Sequence, residues 1–213
     1  MTSLEFTVED IVPEPWSVAP NLVAKLHIEE TTGEQVHALV LRAQVRIDAH
    51  RRGYSADEEP GLLDLFGPRR RWTETLKPFL WMHAMATVQG FTGATDVDLV
   101  LPCTYDFEVS GAKYLHALRE GTIPLELLFS GTVFARGSTG FSVTQIPWDR
   151  EARYELPVRH WRTLMDHYFP NAGWLRLERG TLDALNRYKS TRGMTSWDEA
   201  LTSLLPESEE AVR

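Results

Sequence analysis

The sequence predicts a mainly β protein: an immunoglobulin-like antiparallel β-sandwich over residues 1–150, followed by a small helical subdomain over residues 151–205. Before residue 150, apolar and polar residues mostly alternate, which is typical of strands with one buried and one solvated face. After residue 150, apolar residues recur at helical spacing. Few helical segments separate the alternating ones, so about seven strands are expected to pack as two sheets over one core.

The clearest strand runs from Thr95 to Val109, where every second residue is apolar. Cys103 falls on the buried side of this strand, so we expect a small, buried and unreactive thiol. Pro102 falls on the outer side and cannot donate a ladder hydrogen bond, which favours an edge strand or a bulge at that point.

Six other segments alternate in the same way. Thr32 and Gly33 supply a turn between the second and third strands, so these two strands are expected to form a hairpin. The six segments are Leu4–Glu9, Leu22–Glu29, Val36–Asp48, Leu80–Gln89, Ile123–Phe134 and Phe141–Ile146.

Two insertions interrupt the predicted sandwich. Residues 51–78 are charged and rich in proline and glycine, with one short helix expected at Gly61–Phe66. Ser110–Gly121 predicts a two-turn helix with a serine cap and a glycine stop.

Three short helices are expected in the last third of the chain. The first follows Pro157, the second begins at Thr181, and the third, Trp197–Leu205, begins with the capping box Ser196–Glu199. A polar tail, residues 206–213, is expected to fray.

Helices of this length need packing partners to be stable. We therefore expect the helical subdomain to pack on the sandwich, through Trp148 and Trp161.

Composition excludes several classes of protein. The 213 residues are 43% hydrophobic and 24% charged, which excludes a disordered chain, and one cysteine excludes a disulfide scaffold. A formal net charge of −8 argues against a nucleic-acid partner. With no signal peptide and no apolar run long enough to span a bilayer, we expect a cytoplasmic protein without membrane insertion.

The sequence predicts no catalytic residues, no cofactor and no metal site. His27 and His37 approach each other only if the hairpin forms, and His160 and His167 share a helix face without a third ligand, which makes a poor zinc site. Four acidic residues lie on the outer side of the clearest strand, and we expect a solvated face there, paired with Arg42 and Arg46. These acidic residues are Asp96, Asp98, Asp106 and Glu108.

Partner-binding candidates are the one basic cluster and one loop tryptophan. Seven tryptophans are many for this length, and exposed Trp, Tyr and Arg concentrate binding energy at interfaces. Trp174 lies in a glycine-containing loop and is the best candidate for an exposed contact. The basic cluster consists of Arg69, Arg70, Arg71 and Trp72.

Five segments of the sequence are distinctive: Asp10–Trp16, Pro102–Val109, Leu128–Phe134, Pro147–Asp149 and Tyr168–Leu175. They resemble a family of uncharacterised, mostly actinobacterial proteins known only as a domain of unknown function, and the resemblance covers the chain from about Leu4 to Leu205. This family is often encoded near genes of high-affinity nickel–iron (NiFe) hydrogenases. The resemblance therefore implies an accessory or assembly role with a hydrogenase subunit or maturation factor as partner.

Two functional hypotheses stay open beside a purely structural role. The first is a non-enzymatic accessory protein that binds another protein through a sheet edge or a groove. The second is an enzyme or small-ligand-binding protein with a pocket between the sandwich and the C-terminal helices, where His160, Asp166 and His167 would supply acid and base groups.

Overall fold

The computed structural model describes residues 2–106, 109–137, 140–170 and 175–205. All strand pairs in these residues are antiparallel. The strands are β1 (Leu4–Pro13), β2 (Asn21–Glu30), β3 (Gln35–Ile47), β4 (Phe79–Thr92), β5 (Ala94–Pro102), β6 (Thr122–Gly137), β7 (Gly140–Gln145) and β8 (Glu151–Pro157). The helices are α1 (Glu59–Phe66), α2 (Trp72–Thr75), α3 (Ser110–Ala117), α4 (Val158–Tyr168), α5 (Arg179–Thr191) and α6 (Trp197–Thr202).

The strands form two sheets, as the alternation predicts. One sheet has the order β1-β2-β5, and the other has the order β4-β3-β6-β7 with β8 also paired to β6. Apolar side chains from both sheets form one buried core. At its centre the ring of Phe6, on β1, stacks on the ring of Phe129, on β6, with 4.4 Å between centroids.

The predicted hairpin between the second and third strands is wrong. β2 pairs with β1 and β5, whereas β3 pairs with β4 and β6, so the turn at Thr32 and Gly33 crosses from one sheet to the other. Glu30 holds this turn: its buried carboxylate accepts backbone N–H bonds from Thr32 at 3.0 Å and from Glu34 at 2.9 Å. Burial alone would raise the pKa of Glu30, but these donors outweigh it and the pKa is lowered.

The clearest predicted strand is shorter than expected. β5 ends at Pro102, which lacks the N–H needed to continue the ladder, and it lies at the edge of its sheet as predicted. Cys103 is therefore outside the strand and only half-buried rather than fully buried. Glu108, at the far end of the predicted strand, lies outside the described residues.

The insertion helix expected at Gly61–Phe66 is present as α1. The helix expected from Ser110 is present as α3, but Val109 is its N-cap and no side chain caps it. The serine is thus the first helical residue rather than the cap.

Strand β8 lies beyond residue 150, where only helices were expected. It places an eighth strand against the first half of β6. Helix α4 follows it directly and packs on β1, β2 and β8, with Trp161 3% exposed. Trp148, the other expected docking residue, is 92% exposed and is not part of the core.

The chain divides into two compact units, Met1–Trp174 and Leu175–Arg213. The second unit contains α5 and α6. Ser196 caps α6 by accepting the backbone N–H of Glu199 at 3.0 Å, as the capping box predicts. The Tyr188 hydroxyl lies 3.0 Å from Ser203 Oγ and links the two helices.

Candidate partner-binding surface

The predicted basic cluster forms an exposed turn. Arg69–Arg71 is a single 3₁₀ turn whose three side chains face solvent. Arg69 pairs with the carboxylate of Glu59 and lies over the ring of Trp72 at 5.6 Å. The arginines are thus available at the surface.

Trp72 does not share that surface. Its ring is buried, its Nε1–H donates to the carbonyl of Gly67 at 2.9 Å, and it packs edge-on against Tyr54 at 5.2 Å. The side chain anchors the insertion to the core and is not available as a surface contact. Trp174, the other predicted contact, lies outside the described residues.

A buried ion pair within the insertion, between Arg52 and Glu58, is hydrogen-bonded to the backbone of Arg119 and Glu120 outside it. Glu58 is 2% exposed and accepts from Arg52 Nη2 at 2.9 Å, from the Arg119 backbone N–H at 2.8 Å and from the Ser55 backbone N–H at 3.0 Å. Arg52 Nη2 also donates to the carbonyl of Glu120 at 2.9 Å. A depression of about 570 Å³ opens beside this pair. These donors occupy the carboxylate oxygens of Glu58, so the role of the ion pair is to stabilise the structure of this region.

Two tyrosines add further hydrogen bonds that stabilise the same region. Tyr54 donates to the carbonyl of Ala49 at 2.6 Å, and its hydroxyl lies 2.9 Å from that of Tyr114. Burial raises the pKa of Tyr114 to about 12 and that of Tyr54 further above the usual range. Both hydroxyls therefore stay protonated near neutral pH and hold structure rather than exchange protons.

The histidines and the cysteine also have structural surroundings. His160 Nδ1 donates to the carbonyl of Ile11 at 2.9 Å and ties α4 to β1, while His167 stacks edge-on against Tyr168 at 5.0 Å. Burial raises the pKa of the Cys103 thiol to about 12, which opposes thiolate formation. None of these three groups is arranged as an activated nucleophile or base.

Strands β7 and β8 lie one after the other along the same edge of β6. Between them the chain loops outward: Ile146 N–H donates to Gly131 at 3.0 Å, and Phe129 N–H donates to Arg150 at 2.8 Å. Gly131 has φ +147°, and a Cβ there would lie 2.0 Å from the Val40 carbonyl oxygen, so only glycine fits this bend of β6. The loop carries Trp148 at the centre of the edge.

Along this edge lie three exposed apolar side chains, which together we call the β7 edge surface. It consists of Phe141, 79% exposed, Val143, 60% exposed, and Trp148. Phe141 and Val143 project from the same face of β7, and the Phe141 ring also contacts His37 at 5.1 Å. Within the described residues, no strand pairs with the outer edge of β7.

The other four outer strands are protected by devices that keep sheet edges from pairing. β8 carries Glu151, Arg153, Glu155 and Pro157. β5 carries Asp96, Asp98 and Pro102. β1 has a bulge at Glu9 and is covered in part by β8. β4 is covered in part by α3, as these two elements are in contact.

β7 has none of these devices. Its sequence, Gly-Phe-Ser-Val-Thr-Gln, contains neither a charge nor a proline. The alternation of this segment predicts the strand but not its exposure, because exposure depends on which strands become edges.

Three potential metal ligands converge on the outer face of the β1-β2-β5 sheet. One ligand atom each from Glu9, His27 and Asp96 lies within 4.8 Å of the others. The acidic residues of β5 face His27 and Lys25 of β2, not Arg42 and Arg46 of the other sheet as predicted. His27 and His37 do not approach each other across a hairpin as expected, because His27 lies on β2 of one sheet and His37 lies on β3 of the other.

Comparison with known proteins gives a family without a described activity. Residues 1–213 match a family model described as "Family of unknown function (DUF6084)". No curated protein matches the chain. Within the described residues, no helix has the length and apolar character needed to cross a membrane.

Part of the chain is similar to segments of much larger solved structures. A β-glucosidase from Kluyveromyces marxianus is 12% identical with a TM-score of 0.26, over 72% of this chain and 15% of the enzyme. β-Glucosidase 3B from Thermotoga neapolitana, in complex with α-D-glucose, is 14% identical with a TM-score of 0.27, over 72% of this chain and 17% of the enzyme. Likeness at this level carries no information about activity.

Proposed function

Because the chain belongs to the family of unknown function DUF6084, whose description assigns no activity, we propose a function from its surface. The protein is a non-enzymatic accessory protein that binds another protein through the β7 edge surface. The observation that carries this proposal is the unprotected edge strand β7. Phe141 and Val143 are exposed on this strand, and Trp148 is exposed in the loop that follows it.

The unpaired edge of β7 determines the conformation of the segment that can bind to it. Unpaired backbone N–H and C=O groups of an edge strand are met best by another extended chain, which adds as a further strand. In this mode backbone hydrogen bonds supply affinity, and side chains at alternate positions supply specificity. The occupant is therefore an extended, uncharged segment whose apolar side chains meet Phe141 and Val143.

Strand order supports an immunoglobulin-like sandwich as the scaffold. In that fold strands A, B and E share one sheet, and strands C, F and G share the other. Here the first, second and fifth strands share one sheet, and the third, sixth and seventh share the other, with β4 beside β3. On this assignment β7 is the G strand at the sheet edge.

The resemblance described above supplies the partner to be tested first. It implies a subunit or maturation factor of a NiFe hydrogenase, and we propose that the two proteins meet in the cytoplasm. A net charge of −8 supports a protein partner over a nucleic acid.

The test is co-purification of the tagged full chain with co-expressed hydrogenase subunits and maturation factors. Val143→Lys places a charge on the β7 edge surface and should abolish capture. Met85→Lys is the matched control, since Met85 is 61% exposed on β4 of the same sheet. Both variants should melt within about 2 °C of wild type, because surface changes rarely exceed about 0.5 kcal/mol.

Hydrogen exchange of the captured complex locates the interface. Amides of β7 should exchange more slowly in the complex than in the free chain if a strand is added there. Capture that survives Val143→Lys, or slowed exchange elsewhere only, would show the surface assignment to be wrong. Failure to capture any hydrogenase component would instead overturn the partner assignment. Self-association abolished by Val143→Lys would assign the edge to a second copy and contradict the accessory role.

A further inference from the structure

A second surface of the first unit carries ligand chemistry that the proposed function does not use. Three strands bring together Glu9 from β1, His27 from β2 and Asp96 from β5. His27 and Asp96 are direct neighbours in the antiparallel register, and His27 Nδ1 lies 2.7 Å from Asp96 Oδ1. We propose that these three side chains bind one divalent first-row metal ion, with Zn²⁺ as the best fit.

The third ligand, Glu9, lies at the bulge in β1. Register slips between Val8 and Asp10, so Glu9 is an extra residue on this strand. Bulges re-aim side chains, and here the carboxylate of Glu9 comes within 4.8 Å of both other ligand atoms. The set lies beside a shallow depression of about 280 Å³ whose lining includes Glu9 and Asp96.

The donor set selects the class of ion. One imidazole nitrogen with two carboxylate oxygens suits Zn²⁺ and its first-row neighbours, whereas Ca²⁺ and Mg²⁺ prefer oxygen ligands only. In tetrahedral zinc sites each ligand lies about 2.0–2.2 Å from the ion. Ligand atoms already within 4.8 Å of one another need only small side-chain rotations to reach that geometry. Three protein ligands leave the fourth position to water.

The charges around His27 favour a cation at this point. The carboxylates of Asp96, Glu9 and Glu29 surround the imidazole with negative charge. Lys25, the cation nearest in register, is held by Asp98 at 2.7 Å.

The experiment is a calorimetric zinc titration of the chelator-treated, tag-free full chain at pH 7.5. We expect one saturable site tighter than about 100 µM, and no comparable heat with Mg²⁺. His27→Gln, Glu9→Gln and Asp96→Asn should each weaken binding about tenfold or more. The matched controls are His83→Gln, an exposed histidine of the other sheet, and Glu5→Gln, an exposed carboxylate of the same strand; each should stay within about twofold of wild type.

A spectroscopic measurement on the wild-type protein shows zinc binding at His27 directly, so the conclusion does not depend on how the substitutions affect folding. Zinc should shift the side-chain ¹⁵N resonances of His27 while those of His83 stay in place. Absence of saturable binding, or wild-type affinity in His27→Gln, would reduce the cluster to a surface ion pair and overturn the proposal. Because the cluster does not include the β7 edge surface, either outcome leaves the partner-binding proposal to its own test.

Discussion

Glu58 and Arg52 form an ion pair at 2.9 Å that is closed off from solvent, with 3% and 10% of their side-chain surfaces exposed. Removing one member of such a pair leaves the other charge buried without compensation. We expect Glu58→Gln to destabilise the protein by about 3–5 kcal/mol. Urea denaturation measures this, and Asp64→Asn, which breaks the exposed pair with Lys113, should cost only about 0–1 kcal/mol. An equal loss of unfolding free energy in the two variants would contradict the stabilising role of the ion pair between Arg52 and Glu58.

Trp148 and Trp161, the two tryptophans for which the sequence predicts a docking role, should respond differently to substitution. Trp161→Ala opens a cavity under α4 and should cost about 3–5 kcal/mol. Trp148→Ala removes an exposed ring and should leave the free energy of unfolding unchanged within about 0.5 kcal/mol. Thermal melts of both variants decide the matter. A large loss of stability in Trp148→Ala would place that ring in the core and remove it from the β7 edge surface.

Cys103 should react slowly with thiol reagents in the folded protein. Its pKa of about 12 leaves little thiolate at pH 8, and the thiolate is the reactive form. Labelling with a maleimide should be slow in buffer and fast in denaturant, as followed by mass spectrometry. Fast labelling of the folded chain would show that the thiol is accessible and that burial does not control its pKa.

Glu30 should give the protein an acid-sensitive contribution to stability. Its pKa is lowered from 4.5 in the folded state, so its stabilising bonds are fully present above about pH 4.5 and are lost as pH falls through the lowered value. We expect Glu30→Gln to cost about 1–3 kcal/mol at pH 7, because hydrogen bonds to a charged group are lost. The difference from wild type should shrink steadily on acidification. A difference that is constant from pH 7 to pH 3 would exclude ionisation as its cause.

The strands were predictable from sequence because alternation reports burial on one face, and this signal is local. Pairing was not predictable in the same way. His27 and Asp96 are 69 residues apart, and nothing in either segment identifies the other as its neighbour. The hairpin prediction was wrong because a turn at Gly33 has the same local sequence pattern in both cases, whether the chain folds back within one sheet or crosses to the other. The missed metal-ligand cluster follows directly from the missed pairing.

Two errors concern segments whose local pattern was ambiguous. β8 alternates over only seven residues, and the helix that follows it without a break dominates the periodicity of this region. Trp72 follows three exposed arginines, so its sequence context resembled a surface cluster. Its burial depends on Tyr54 and Gly67, which the sequence could not place beside it.

The contacts of β1 and of the loop after it with the end of the first unit also fix the order in which the chain can fold during synthesis. Tyr154 donates to Asp10, His160 to the Ile11 carbonyl and Tyr168 to the Ser17 carbonyl, across separations of 144 to 151 residues. At a translation rate of about 5–20 residues per second, the N-terminal strand waits about 8–30 s on the ribosome before these partners emerge. Throughout that time its outer edge is open to other chains, so nascent β1 is a natural client for chaperones, and chains that stop before Tyr154 should aggregate.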